Sequence, residues 1–183
     1  VSLYAAPDGG PFGWDLAHAY GIPTFGMAGA SDSKIFDAQA ASEAALTLFD
    51  EMLNGANLIH DVGYLDCATT GSLEFLMFCD EVIGWLRRYF RKLEISEETL
   101  ALDLIHEVGP DGHFIDTEHT LRHVREEWVP PLSDRFNHHR WAAKGATTLQ
   151  QRANQKVREI IENHRAEPLP GDVRESIESV IDR

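Results

Sequence analysis

Cysteine is scarce in this 183-residue sequence, which has two, Cys67 and Cys79. Neither falls in a metal-binding spacing, and one pair in a chain of this size is no disulfide scaffold. A reducing compartment, the cytoplasm, is therefore the expected location. Positive charge is scarce too: 16 Lys and Arg stand against 30 Asp and Glu, a formal charge of −14. Phosphate neutralisation needs clustered Lys and Arg, so nucleic acid and anionic membranes are not expected as partners. No uncharged apolar run is long enough to span a bilayer, and no signal-peptide pattern is present. The GxGxxG, P-loop, HExxH and GxSxG motifs are all missing, which argues against nucleotide binding, zincin chemistry and a nucleophile elbow. The chain begins at Val1 rather than Met, and VSLYAAP reads as a strand met midway, as expected of a piece of something larger.

What is there is an ordinary soluble composition, 43% hydrophobic and 25% charged, so wholesale disorder is out. Short β-like runs alternate with helical ones. Residues 3–6 and 23–28 are expected strands, with a short helix at 14–20 between them. A third strand at 56–63 stays apolar until it delivers His60 and Asp61. Asp37 onward predicts a helix over 37–53, with Ala41, Ala44, Ala45, Leu48 and Met52 on one side and Gly55 ending it. Residues 72–92 predict a second long helix whose apolar face is Leu73, Leu76, Met77, Val82, Ile83, Trp85, Leu86 and Tyr89. Strands separated by helical crossovers pair in parallel, so the fold class is α/β. An open doubly wound sheet and part of a (β/α)₈ barrel both fit; a whole barrel takes about 250 residues.

From residue 96 the pattern is purely helical. Ser96 predicts a capped helix through 107, Thr117 another that ends before Pro130, and residues 147–150 a capping box for a long helix to 164. A last helix covers 172–182. Two regions are therefore expected: a partial barrel with about three parallel strands over 1–95, and a helical region over 96–183 packed on it. Residues 1–149 hold 23 of the 30 acidic and 10 of the 16 basic side chains, which places the acidity on the α/β side.

Chemistry in such folds gathers at the carboxyl ends of the strands. His60 can transfer a proton or bond a substrate; equally, it can be a core histidine held by a backbone carbonyl. Strand alternation sends Asp61 toward a neighbouring loop rather than toward His60. After the second strand, Gly26, Gly29, Ser31, Asp32, Ser33 and Lys34 can either receive a ligand or cap the next helix. Phe12, Trp14, Tyr20, Phe25 and Tyr64 can line a cage for a quaternary ammonium or be plain core. His106, Glu107, His113, His119 and His123 offer metal ligands, His119 and His123 at helical spacing; surface histidines are the alternative. His138 and His139 read as loop.

The runs Tyr20-Gly21-Ile22-Pro23-Thr24-Phe25-Gly26, Ser31-Asp32-Ser33-Lys34 and Asp37-Gln39-Ala40 resemble the trimethylamine methyltransferase family. So do Gly55-Ala56-Asn57-Leu58-Ile59-His60-Asp61-Val62-Gly63-Tyr64-Leu65 and Thr70-Gly71-Ser72-Leu73-Glu74. The likeness continues in Glu98-Thr99-Leu100-Ala101, Glu107-Val108-Gly109-Pro110-Asp111-Gly112-His113-Phe114 and Glu118-His119-Thr120-Leu121. It runs from residue 3 to about 165 and corresponds to the C-terminal portion of that longer family.

The resemblance implies a TIM (β/α)₈ barrel and methyl transfer from a methylated amine to cob(I)alamin, a corrinoid carried by a partner protein. Trimethylamine, or a quaternary amine such as a betaine, is the implied substrate class, and methylamine metabolism, including methanogenesis, the setting. Some members use pyrrolysine in the site; none is written here. On the IHDVGY motif, His60 and Tyr64 are the expected catalytic residues. Phe12, Trp14, Phe25, Gly29, Ser31, Asp32 and Asp61 are the expected substrate contacts. No tightly bound metal is expected, and exposed sheet edges favour a homo-oligomer. Two other readings remain: a non-catalytic fragment that folds by association, and a metal-dependent enzyme using His113, His119 and His123.

Overall fold

The computed structural model describes residues 10–181. The strand expected at 3–6 and the side chain of Phe12 lie outside the described residues. Helix α1 (Gly10–Tyr20) leads into strand β1 (Phe25–Met27), helix α2 (Ala38–Leu53) and strand β2 (Leu58–His60). A small hairpin, β3 (Tyr64–Leu65) with β4 (Thr70–Gly71), precedes the long helix α3 (Leu73–Tyr89). Strands β1 and β2 pair in parallel, with Phe25 opposite Leu58 and Met27 opposite His60, so the expected crossover unit is present. The described chain is thus mixed α/β.

Local chemistry explains the two main helices. Asp37 caps α2, its carboxylate accepting the Ala40 amide at 3.0 Å, and Ser72 caps α3 by accepting from Phe75 at 3.2 Å. Their buried faces keep Ala44, Leu48, Val82 and Leu86 of the expected ones but are turned from the rest. On α3 the core side chains are Phe75, Phe78, Cys79, Val82 and Leu86, while Leu73, Leu76, Trp85 and Tyr89 are exposed. Phe75 is fully buried, its ring 5.5 Å from Phe36 and 6.3 Å from Phe78, and this aromatic group fixes the rotation of α3. On α2 the turned face buries Ala40, Ala44, Thr47, Leu48 and a glutamate, Glu51. Ala41, Ala45 and Met52 pack at its margin.

The two faces of the strand pair differ. Gly26 turns toward α2, where a Cβ would overlap the Glu51 carboxylate. On the other face Phe25 and Leu58 are 59% and 60% exposed. Strands of a parallel sheet are normally covered on both sides; among the described residues this apolar face is open.

The helices that follow are α4 (Glu97–Leu100), α5 (Leu102–Val108), α6 (Glu118–His123), α7 (His138–Ala143), α8 (Leu149–Asn163) and α9 (Gly171–Ile181). The single helix expected over 96–107 is broken at Ala101, in left-handed backbone with φ 48°. Tertiary contact explains the break. His119 Nε2 bonds the Glu98 carbonyl at 2.8 Å, taking the acceptor that a continuous helix would offer to Leu102. Helix α6 stops at His123, well before Pro130, because the chain turns to lay Trp128 against Gly84 of α3. His138 and His139 open α7 rather than a loop, capped by Asn137. The capping box of α8 is Thr148 with Gln151, one residue later than expected. The Thr147 carbonyl is instead bonded by Trp141 Nε1 and Arg152.

The helical region is anchored to α3 through a buried carboxylate. Glu81, 2% exposed, accepts the amides of Leu132 and Ser133 and the Ser133 hydroxyl. Arg152 of α8 donates to the Leu132 carbonyl, and Asn154 bonds Glu74 at the start of α3. Among the described residues no helix is long and apolar enough to cross a membrane.

Candidate functional site

Beyond the carboxyl ends of β1 and β2 the two chain segments stay paired. Ala28 donates to the His60 carbonyl at 3.2 Å, Gly63 to Gly29 at 2.9 Å, Ser31 to Tyr64 at 2.9 Å and Asp66 to Ser33 at 2.9 Å. Continued backbone pairing makes the loops rigid where loops usually move, which suits a site that must hold its geometry. Backbone strain gathers at the same place. Asp61, Asp66, Cys67 and Ala68 have φ between 52° and 65°, and they are four of the six non-glycine residues in left-handed backbone among the described residues. Such strain is retained where the surroundings enforce it, and functional sites are where it clusters.

His60 ends β2. Its ring stacks on Phe25 of β1, centroids 4.3 Å apart and planes 12° from parallel. The left-handed backbone at Asp61 folds its carboxylate back, so Asp61 Oδ1 lies 3.0 Å from His60 Nδ1. This corrects the expectation that Asp61 would serve a neighbouring loop: strand alternation no longer holds once φ turns positive. A carboxylate at Nδ1 sets the tautomer with the proton there, leaving Nε2 as the nitrogen for a ligand. The His60 and Asp61 side chains are 38% and 28% exposed. The group is reachable but sheltered.

The other expected residues are placed as follows. Gly29, φ 76°, is buried against Val62, and its amide donates to Thr47 Oγ1 at 3.1 Å. Ser31 is fully buried, its hydroxyl donating to Glu43 of α2. The Asp32 amide bonds the same carboxylate at 3.1 Å, while the Asp32 side chain meets the Cys67 thiol and pushes its pKa up. Ser31 and Gly29 thereby fasten the first loop to α2. Tyr64 is 41% exposed at the start of the hairpin, and Trp14 is half-buried in α1.

Glu51, missed by sequence reasoning, lies beneath this site. It is 8% exposed, and one carboxylate oxygen has no hydrogen-bond partner among the described residues. Burial raises its pKa, outweighing the Met27 amide, which lowers it; the Asp50 charge raises it and His60 lowers it. The signal was available: Glu51 falls three residues after Leu48 and seven after Ala44, on the buried stripe. Cys79, also buried, lies 3.4 Å from the Gly29 carbonyl, and burial pushes its thiol to about 12. It is therefore an unreactive core residue.

His113 does not join His119 and His123. It lies 3.4 Å from Asp116, whereas His119 and His123 approach Glu98. The trio expected from spacing is thus replaced by Glu98, His119 and His123.

A parallel strand–helix–strand unit with a histidine–carboxylate pair at its strand ends defines an α/β protein with a candidate site at the carboxyl edge. The family described as trimethylamine methyltransferase (MTTB) matches residues 13–183, and the chain belongs to that family. It is 36% identical to a trimethylamine methyltransferase of Desulfitobacterium hafniense over 167 residues, 91% of this chain and 34% of the relative. To the trimethylamine methyltransferase of Methanosarcina barkeri (strain Fusaro) the identity is 32% over 168 residues, 92% of this chain and 34% of the relative. A glycine betaine methyltransferase of Desulfitobacterium hafniense is 35% identical over 168 residues, 91% of this chain and 35% of the relative. The chain thus spans about a third of the length of these relatives, matching a C-terminal portion.

Proposed function

We propose that the protein carrying this chain transfers a methyl group from a methylated amine, trimethylamine or a quaternary amine such as a betaine, to the cobalt of a corrinoid held by a partner protein. The observation that carries the reading is the Phe25–His60–Asp61 group at the ends of paired parallel strands. The relatives' names, one for a tertiary and one for a quaternary amine, support the substrate class. The exposed Phe25–Leu58 face would belong to the interior of a (β/α)₈ barrel, most of whose strands lie in other sequence.

Demethylation breaks a carbon–nitrogen bond whose electron pair stays with nitrogen, so the nitrogen must be positively charged to leave. A reduced corrinoid, when bound, supplies the nucleophile that takes the methyl. The residues fit such a group: Phe25 and Leu58 present an open apolar approach, with His60 beside it. His60 Nε2 would give a tertiary amine its proton or bond the polar end of a betaine, while Asp61 holds the imidazole and balances its charge. Phe25, stacked on His60 and 59% exposed, would line the same pocket against the methyl groups. We assign Tyr64, which opens the hairpin after β2, to the same pocket. The acidic surface would attract the cationic substrate, and association should slow as salt rises.

The test is methyl transfer to cob(I)alamin with a panel of methylated amines, using the whole protein. His60→Ala should lower kcat at least about 100-fold, within the usual weight of proton transfer at a positioned group. Asp61→Asn should lower it less. Wild-type rates in a folded His60→Ala variant would refute the role of His60.

A further inference from the structure

We infer that Glu98, His119 and His123 form a binding site for a divalent transition metal of the zinc class, clasping α4 to α6. The site uses other elements than the strand ends and does not rest on the methyl-transfer reading. His119 and His123, one turn apart on α6, bring their rings to 4.4 Å between centroids. Their Nε2 atoms lie 3.9 and 3.1 Å from Glu98 Oε1, and the three ligand atoms are all within 4.8 Å of one another. Around a tetrahedral ion with bonds of about 2.0–2.2 Å, ligand atoms stand roughly 3.3 Å apart, comparable with the 3.1 and 3.9 Å from Glu98 Oε1 to the two imidazoles. Behind His123, Glu126 Oε1 lies 2.8 Å from Nδ1, the carboxylate support that points Nε2 of a metal-bound histidine inward. Two imidazoles and one carboxylate suit zinc rather than magnesium or calcium, which take oxygen. Glu98 and His119 border a cleft of ≈ 790 Å³, which gives an ion entry.

The ion would replace Arg122 as the cationic partner of Glu98. Arg122 Nη1 lies 2.8 Å from Glu98 Oε1, and its side chain is 55% exposed, so it can swing into solvent. His119 Nε2 would exchange the Glu98 carbonyl for the metal. His113, 3.4 Å from Asp116, takes no part.

Chelator-stripped, untagged whole protein titrated with Co²⁺ tests the site. One equivalent should give the intense visible absorption of tetrahedral cobalt, abolished by Zn²⁺. His123→Ala and His119→Ala should remove it, and Glu126→Gln should weaken binding about 10- to 100-fold. Arg122→Gln, which removes a competing cation, should tighten it, and His113→Ala should leave it unchanged. Should a histidine variant fail to fold by circular dichroism, Glu126→Gln and Arg122→Gln decide the matter. No cobalt uptake by the wild type, or uptake unaltered by these substitutions, would overturn the site.

Discussion

The strand–helix unit and the helical region that follows it are held together by different means. Almost all the buried apolar side chains belong to residues 28–86, with Leu132 and Ala153 the exceptions. Helices α4 to α7 and α9 bury no residue at all; they are defined by caps such as Ser96, Thr117 and Asn137 and by surface ion pairs. Packing therefore sets the first region, and local hydrogen bonds set the second. The joint combines the Glu81 hydrogen bonds with Leu132 and Ala153, which pack into the core of the first region.

The sharpest way to break that contrast is at Phe75. Phe75→Ala, in the fully buried aromatic group, should cost about 3–5 kcal/mol in chemical denaturation. A loss under 1 kcal/mol would mean that the core does not dominate the first region. Next comes the joint. Glu81→Ala leaves the Leu132 and Ser133 donors without their acceptor and should cost about 3 kcal/mol, with proteolysis first exposed after residue 130. Equal protection of both regions in that variant would show that Glu81 does not join them.

Glu51 should produce a smaller, pH-dependent effect. Its folded pKa lies above the ordinary 4.5, so between the two values the unfolded chain ionises while the folded chain keeps its proton. Stability should therefore fall as pH rises from 4.5 through the folded pKa, the lost stability being present again on acidification. Glu51→Gln should remove that slope; an unchanged pH profile of the denaturation midpoint would count against a desolvated carboxyl. Ile161→Ala, at a site 64% exposed on α8, should change stability by less than about 0.5 kcal/mol. A larger loss would reveal packing in the second region.

Much of the fold was legible locally. Asp37, Ser72, Ser96, Thr117 and the α8 start announce themselves because capping depends on residues within one turn. What escaped the sequence depends on partners far along the chain. Of the apolar face expected on α3, Val82 and Leu86 are buried and Met77 and Ile83 pack at the margin, while Leu73, Leu76, Trp85 and Tyr89 are outside; Phe75 and Phe78 are inside because Phe36, some forty residues away, meets them. The break at Ala101 follows from His119 claiming the Glu98 carbonyl, and helix propensity carries no trace of that bond. At the site, His60 was visible as a polar residue ending an apolar strand. Its partner was not, since alternation fails where Asp61 turns left-handed.

By itself the sequence determined the α/β order, the capped starts of α2, α3, α4 and α6, the acidity of the first 149 residues and the family, because composition, periodicity and motif are local properties. Only the tertiary structure decided which faces are buried, that Asp61 serves His60, that one oxygen of Glu51 lies without a partner under Gly26, and that Glu98 rather than His113 joins His119 and His123. Each of those depends on two distant segments meeting at a few ångströms, and no window of neighbouring residues contains that distance.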